Sequence, residues 1–502
     1  MPGPKSKSFI HGNTQDLTDD NNGQQTRAWE EAYGKTFKFE ANMGSKFVWT
    51  TDWKALGHIL KNDSTWQKAE GFRFTLARLL GDGLIATEGA RHKLQRRVMN
   101  PAFGPAQIRG LTPIFVDKAV KLRDIWTSLI NPESSSAQVD ALSWLNKMTL
   151  DVIGEAGFDY KFNALDGEDN ELGEAFSSIF RTGQHQSDRF FIILGTLQEA
   201  FPIFRMIPEL RTSLRMAMKT SARIAAKLVY DRKTAMTGTE EKGAKWHTRD
   251  LLSLLVRSNM STSLAEDQKM CDNDVMSQVP TFLIAGHETT ATATTLALLG
   301  LTERPDVQQK LRDEVLAIVT DSPTMDQLNA LHYLDIVVRE ALRCFPPSSL
   351  TSRVSTKDDV VPLARPYTDR KGVVHHELRV QNGTGILIPI TAINRDKDLW
   401  GEDADIFNPD RWEDIPEAAS SIPGIWGNML TFFGGPRACI GWRFSVVEMK
   451  ALLFTLVRAF EFELAVPRQE VLIKRASLVQ RPEVKGKGNQ LPLNIKPVRC
   501  ID

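Results

Sequence analysis

Apolar residues recur at intervals of three and four over long stretches of the chain, a spacing that predicts helices. The clearest runs are Ile114 to Ile130, Ala141 to Gly157, Leu210 to Tyr230, Leu251 to Ser258, Val275 to Leu301 and Val307 to Val319. After Gly441 the stretch WRFSVVEMKALLFTLVRAF places Phe444, Val447, Leu452 and Leu453 at helical spacing and predicts one more. Short runs at Lys38 to Phe39, Lys46 to Thr50, Gly385 to Ile390 and Leu491 to Lys496 predict strands. Polar breaks, NPESSSAQ from Asn131 and TGTEEKGAKWHT around Lys242, read as solvated loops between helices. No internal repeat interrupts the series. The pattern implies a mainly α fold with a small β portion (α+β), one large helical domain rather than a string of modules. One segment stands apart. FFIILGTLQEAFPIFRMIP, Phe190 to Pro208, is apolar but interrupted by Gly195, Gln198, Glu199, Pro202 and Arg205. It reads either as a buried helix with a breaker or as an apolar lid or membrane-touching loop.

Composition narrows the function classes. With 502 residues, 42% hydrophobic and 25% charged, the chain can bury a large core, and its 62 Lys+Arg balance 62 Asp+Glu. That balance gives no basic footprint for nucleic acid. The four cysteines, Cys271, Cys344, Cys439 and Cys500, are far apart and form no CxxC pair, so neither a disulfide framework nor a zinc site is indicated. A reducing, cytosol-facing environment fits. No apolar run reaches the roughly 18 residues that span a bilayer, and MPGPKSKSFIHGNTQDLTDD carries no apolar signal region. The expectation is an N-terminal segment, residues 1–30, following a removed membrane anchor, then one domain over residues 31–502; a naturally soluble chain is the alternative.

Four motifs carry chemistry. In FFGGPRACIGWRF the positions Phe432, Gly435, Arg437, Cys439 and Gly441 read FxxGxRxCxG. Chance recurrence of five such positions is on the order of 10⁻⁴ from average residue usage. Cys439 lies at the start of the predicted helix, where amide N–H groups, the helix dipole and Arg437 favour a thiolate. The second motif, AGHETT, lies inside the Val275 to Leu301 run. Thr289 can back-bond to the carbonyl of Ala285, Gly286 leaves space beside the backbone, and Glu288 is an adjacent acid. The third, EALR, sets Glu340 and Arg343 on one helix face among apolar neighbours, with Arg411 of FNPDRW as a third member; this reads as a buried ionic clamp. The fourth, EGARHKLQRR, sets His92 and Arg96 one turn apart, a solvated helix face if taken alone.

Together these residues resemble the cytochrome P450 superfamily of haem-thiolate monooxygenases, and the eukaryotic microsomal type in particular, on the cysteine loop, ExxR, AGxET, the stretch NRDKDLWGEDADIFNPDRW and the Pro-Gly-Pro start. The resemblance implies haem b, held non-covalently, because Ala285 stands where a glutamate attaches haem in some members. It makes Cys439 the axial ligand of the iron, framed by Phe432 and Gly441. Arg437, Arg96 and Arg353 become partners of the haem propionates. His92 stands where the family has a tryptophan; it can donate to a propionate, and its protonation would then affect the site. Glu288 and Thr289, with Gly286, match the acid–alcohol pair that supplies protons during dioxygen activation. Glu340, Arg343 and Arg411 match a structural clamp. Asn394 replaces a frequent histidine, with little consequence expected, and Pro280 should kink the long helix near its start.

The activity implied is insertion of one oxygen atom of O₂ into a lipophilic small molecule, by hydroxylation or epoxidation. The rivals are a haem-thiolate isomerase or peroxygenase and a non-catalytic haem sensor. Substrate contacts are expected between Thr65 and Leu84, in Phe190 to Pro208, at Ser348 to Thr351 and at Ala476 to Val479. Phe72, Phe74, Phe282, Ala285, Leu350 and Leu478 are the pocket candidates. The chain has no flavin or nicotinamide fingerprint, so electrons come from NADPH through a separate cytochrome P450 reductase, with cytochrome b5 as a second donor. Arg91, Lys93, Arg97, Arg443 and Lys450 are the expected reductase contacts. The resemblance also implies the cytosolic face of the endoplasmic reticulum membrane.

Overall fold

The computed structural model describes residues 1–21, 23–168, 170–174, 189–240, 250–261, 265, 268–476 and 479–498. Within them the predicted helices are present, most with longer bounds: Pro105–Ser128, Ala141–Phe158, Thr212–Glu240, Leu251–Met260, Asp272–Glu303 and Trp442–Ala459, while Pro305–Leu316 stops short of the expected Val319. The extensions fall where the apolar stripe fades but capping and helix-compatible residues continue. Pro105, for example, takes the first helical position, where its missing N–H costs nothing. Most of the TGTEEKGAKWHT break, Leu478 and Cys500 lie outside the described residues.

The Asp272–Glu303 helix is the axis of the molecule. Its residues from Thr290 to Leu301 are all buried, and a helix apolar all round belongs at the centre of a core. Helix Ala141–Phe158 packs along it most extensively, followed by Thr212–Glu240, His332–Cys344 and Trp442–Ala459. The close approach of Ala141–Phe158 depends on Gly286: a Cβ there would stand 2.9 Å from Ile153 Cδ1 and Cγ1. The central helix runs unbroken across Pro280, with Thr281 Oγ1 donating to Ser277 O at 2.9 Å in the same turn.

The β portion lies to one side. One sheet has five strands, in the order Thr36–Glu40, Lys46–Thr50, Gly385–Ile388, Thr351–Ser355, Trp66–Gln67. Lys46–Thr50 pairs parallel with Gly385–Ile388, and the other pairs are antiparallel. Helices Thr14–Thr18 and Gln24–Tyr33 lie beside this sheet, where Leu17 and Trp29 join Phe37, Phe39, Trp49 and Leu387 in a small second core. A hairpin of Val471–Ala476 and Val479–Val484 reaches back to the central helix.

Candidate active site

Phe432 to Gly441 forms a tight loop ahead of the Trp442–Ala459 helix. Gly435 has φ +67°, and a Cβ on it would stand 2.2 Å from Leu60 O, so both conformation and space require glycine. The Cys439 N–H donates to Phe432 O at 2.8 Å and closes the loop. The Cys439 side chain is exposed, yet burial pushes its thiol up, against the Gly441 N–H and the charge of Arg96, which pull it down. Accessible and deeply placed at once, it opens on a chamber inside the fold and not on the outer surface. Burial favours the neutral thiol, the Gly441 N–H and Arg96 favour the thiolate, and a cation bound at the sulfur would take the proton's place.

The AGHETT segment shows the same signature. Between buried Phe282 to Ile284 and buried Thr290 onward, Ala285 is exposed and Gly286 and Thr289 are half-buried. Ala285 and Thr289 share a helix face and open inward. Thr289 Oγ1 donates to Ala285 O at 2.7 Å, the back-bond expected from the sequence. Gly286 differs from expectation: the volume beside it is taken by Ile153 and is not left open. Glu288 is buried and ion-paired with Arg481, a partner that the sequence did not suggest because it lies almost two hundred residues away on a strand.

Cations line one side of the cysteine loop. Arg437 pairs with Glu88, approaches Asp63 at 3.7 Å and donates to Thr87 O at 2.8 Å. Arg96 donates to the Ala438 carbonyl and, at 3.2 Å, to Asn100 Oδ1. Arg353 is 5% exposed and sits over the Phe433 ring at 4.8 Å, donating to Ser352 O at 2.7 Å. Burial lowers Arg353 and Arg437 to about 10. Lys68 falls well below its ordinary value through burial and the charges of Arg353, Arg437 and Arg73. His92, buried, is lowered to about 4 by desolvation and then by Lys68 and Arg96, so it is neutral at pH 7 and its proton does not switch the site there. His92 Nδ1 and Arg73 Nε are buried without a hydrogen-bond partner. A cluster of Lys68, Arg73, Arg96, Arg353 and Arg437 against Glu88 and Asp63 is short of anions. The two carboxylates of a haem would supply them, and an exposed internal thiol would face its iron; the residues fit that group. Lys68, Arg73 and Glu88 were missed in sequence because no spacing rule ties them to the motif.

The clamp is closed as expected. Arg343 Nε and Nη2 donate to the two Glu340 oxygens at 2.8 Å each, with both side chains fully buried. Arg411 Nε reaches Glu340 Oε1 at 3.0 Å, Trp412 Nε1 reaches Oε2 at 3.0 Å, and the Asn408 N–H reaches Oε1 at 2.9 Å. Asn394 is more than a neutral replacement. Its carbonyl accepts from Arg343 at 2.9 Å, its Oδ1 accepts from the Leu430 N–H at 2.8 Å, and its Nδ2 donates to Thr431 Oγ1 at 2.8 Å. It ties the clamp to the strand of chain that leads into the cysteine loop.

The pocket candidates divide. Ala285 opens inward, and Phe72 is partly buried against the main core. Phe282 is core, 5.3 Å from Phe103. Phe74 lies between the guanidinium groups of Arg78 and Arg205, at 5.4 and 5.7 Å, so its environment is cationic and not apolar. Leu350 packs on the small core by the N-terminal helices. It also lines an outer cleft of 320 Å³ with Glu30, Lys35, Arg395 and Asp396, none of which belongs to the cysteine loop or AGHETT. Of the expected reductase contacts, Lys93, Arg97 and Arg443 are exposed. Lys450 is buried and paired with Asp335 at 2.7 Å, so it is not available to a partner, whereas Arg91 is exposed and engaged by Asp82 and Asp274 at 2.9 and 2.5 Å.

A mainly helical fold around one buried helix, with an accessible cysteine facing inward beside a cationic wall, defines a protein built to hold a large anionic cofactor through a thiolate. The family model described as cytochrome P450 matches residues 1–487. Cytochrome P450 monooxygenases 128 and 205 of Postia placenta are each 47% identical, over 99% and 100% of this chain and 92% and 93% of their own lengths. Cytochrome P450 monooxygenase claP of Ampulloclitocybe clavipes is 33% identical over 99% of this chain and 93% of its own. The chain belongs to the cytochrome P450 family and is a monooxygenase, an oxidoreductase that incorporates oxygen.

Proposed function

We propose that this monooxygenase oxidises a lipophilic small molecule by hydroxylation or epoxidation, using haem b held by Cys439 and electrons passed from NADPH by a separate reductase. The observation that carries this reading is the inward-open Cys439 beside a largely buried cationic wall of Arg96, Arg353 and Arg437 in which cations outnumber anions. When bound, haem supplies dioxygen activation, and thiolate ligation favours O–O cleavage. The chain's own residues do the rest. Arg96, Arg353, Arg437, Lys68 and His92 would hold the propionates. Ala285 offers no carboxylate for a covalent link. Thr289 Oγ1 presents a hydroxyl at the chamber, and Glu288 carries a proton toward it.

A membrane-bound setting on the cytosolic face of the endoplasmic reticulum is part of this proposal. Among the described residues no helix is long and apolar enough to cross a bilayer. Contact with the surface instead falls to the segment after Arg189, where helix Arg189–Ala200 and turn Pro202–Met206 leave Phe201, Ile203 and Met206 exposed. Clustered apolar surface of this kind marks a membrane or partner site.

The test is the carbon monoxide difference spectrum of the reduced protein. The wild type should show the red-shifted Soret band of thiolate-bound iron, and Cys439→Ser should lose that band while keeping its helical circular dichroism. A wild type that is folded and binds no haem overturns the proposal.

A further inference from the structure

The outer cleft of 320 Å³ has a chemistry of its own. Its size falls at the lower end of small-molecule sites. No residue of the cysteine loop, of AGHETT or of the cationic wall lines it. Successive residues of a strand face opposite ways. Arg353 turns to the Phe433 ring and the cationic wall, so Leu350, three positions earlier at the start of the strand, turns away and lines the cleft. Leu17, Trp49, Pro389 and Ala392 add to this apolar lining.

The acids of the cleft are already engaged. Glu30 meets Lys35 at 3.3 Å and accepts from Trp49 Nε1 at 2.9 Å. Asp396 meets Lys35 at 3.0 Å and Arg365 at 3.3 Å, and Asp398 meets Arg365 at 3.0 Å. Asp20 accepts from the Gln25 N–H at 2.8 Å and from Thr26 Oγ1 at 2.9 Å. Asp405 is held by Arg27, and Glu31 is exposed. Two other lining groups are less well served. Arg395 is 6% exposed, and its acid is the Asp405 that Arg27 already holds, at 3.9 Å. Its Nε is buried with no hydrogen-bond partner, and so is the hydroxyl of Thr391, which is 8% exposed. Thr391 is fixed in place by its N–H, which donates to Ser349 O at 3.0 Å. Burial lowers both Arg395 and Arg475, the second guanidinium of the lining.

We infer that this cleft is a second ligand site, separate from the chamber at Cys439, and that it takes a small amphipathic carboxylate whose head meets Arg395, Arg475 and Thr391 and whose carbon chain lies on Trp49, Leu350 and Ala392. A guanidinium presents a planar fork of N–H donors that matches a carboxylate. A buried polar atom without a partner costs stability, and a ligand oxygen offsets that cost. A cationic ligand would find its acids taken, and a neutral one would leave the guanidinium charge unbalanced.

The experiment is calorimetric titration of octanoate into the haem-loaded protein at neutral pH, with 4-phenylimidazole bound at the iron so that the chamber is filled. Octanoate should bind, and 1-octanol, the same chain without the charge, should bind about tenfold more weakly. Arg475→Met should weaken octanoate by about tenfold and Thr391→Val by about fivefold. Thr391→Val should also raise the melting temperature of the ligand-free protein, since it removes an unpaired buried hydroxyl; a hydroxyl that only holds the fold together would give the opposite sign. Crystals soaked in 8-bromooctanoate should place the anomalous signal of bromine in the cleft. No heat with the wild type, 1-octanol binding as tightly as octanoate, or bromine located elsewhere overturns the inference, and none of these depends on a variant that folds. Unchanged octanoate affinity in both variants overturns it as well. A protein without haem, evident from its absorbance before any titration, strikes the reading of Cys439 instead, and the bromine position still decides for or against the cleft.

Discussion

Fully buried Glu340 receives five hydrogen bonds from nitrogen donors, Arg343 twice, Arg411, Trp412 and the Asn408 N–H. Burial alone would raise its carboxyl, but the two guanidinium groups win and its value is lowered from 4.5. A carboxyl lowered by folding contributes stability that is fully present above the unfolded value and is lost as pH falls through the folded one. Glu340→Gln keeps the shape and strands Arg343 and Arg411 in the core, and breaking a buried pair from one side costs about 3–5 kcal/mol. Urea unfolding should show that loss at pH 7, and the gap between variant and wild type should close as the pH drops below the unfolded value. A gap that stays constant in acid would mean that the ion pairs are not its source. His92 acts in the same direction over another window. Its value falls from 6.5 to about 4 on folding, so the unfolded chain binds the extra proton and stability declines as pH falls across that range.

Two helices meet at Gly286, and the meeting is a matter of volume. Gly286→Ala sets a methyl group 2.9 Å from Ile153. Overpacking of this kind costs about 1–3 kcal/mol. Ile153→Val removes one of the obstructing carbons, so the double variant should be more stable than the sum of the singles predicts, a coupling measurable by thermal unfolding. If the single variant is neutral and red-shifted Soret intensity rises, Gly286 serves the chamber as the motif suggested and not the helix contact. This position shows what a sequence can and cannot convey. The period of the apolar residues made the central helix and its partners legible, and local offsets exposed the Thr289 back-bond and the Glu340–Arg343 pair, since both lie within one helical turn. What a glycine makes room for is decided by another helix, more than a hundred residues away. The same holds for Arg481 on Glu288, Glu88 on Arg437 and Asn394 beneath the cysteine loop. Each is a contact between elements, and periodicity within one element carries no record of it.

The molecule as a whole carries equal numbers of acids and bases, so electrostatic steering of a partner must come from local asymmetry. Lys93 and Arg97, one turn apart on helix Gly89–Met99, and Arg443 at the start of Trp442–Ala459 are exposed. The Arg443 guanidinium is 4.1 Å from the Trp442 ring centroid. All three belong to the two elements that supply Arg96 and follow Cys439, so a donor docked on them stands close to the site it must reduce. Reversing Lys93 and Arg97 to glutamate should slow reductase-driven reduction by about tenfold at low salt, within the range that charged surfaces confer on association. The difference should shrink as salt screens the charges. Trapping the reduced protein with carbon monoxide reads that rate directly and needs no knowledge of the substrate. Arg215 and Lys219, both exposed and one turn apart on helix Thr212–Glu240, give the same change of charge elsewhere, and reversing both to glutamate should leave the rate unaltered. Equal slowing by both reversals would assign the effect to net charge; no slowing by either would move the docking face away from the cysteine side of the molecule.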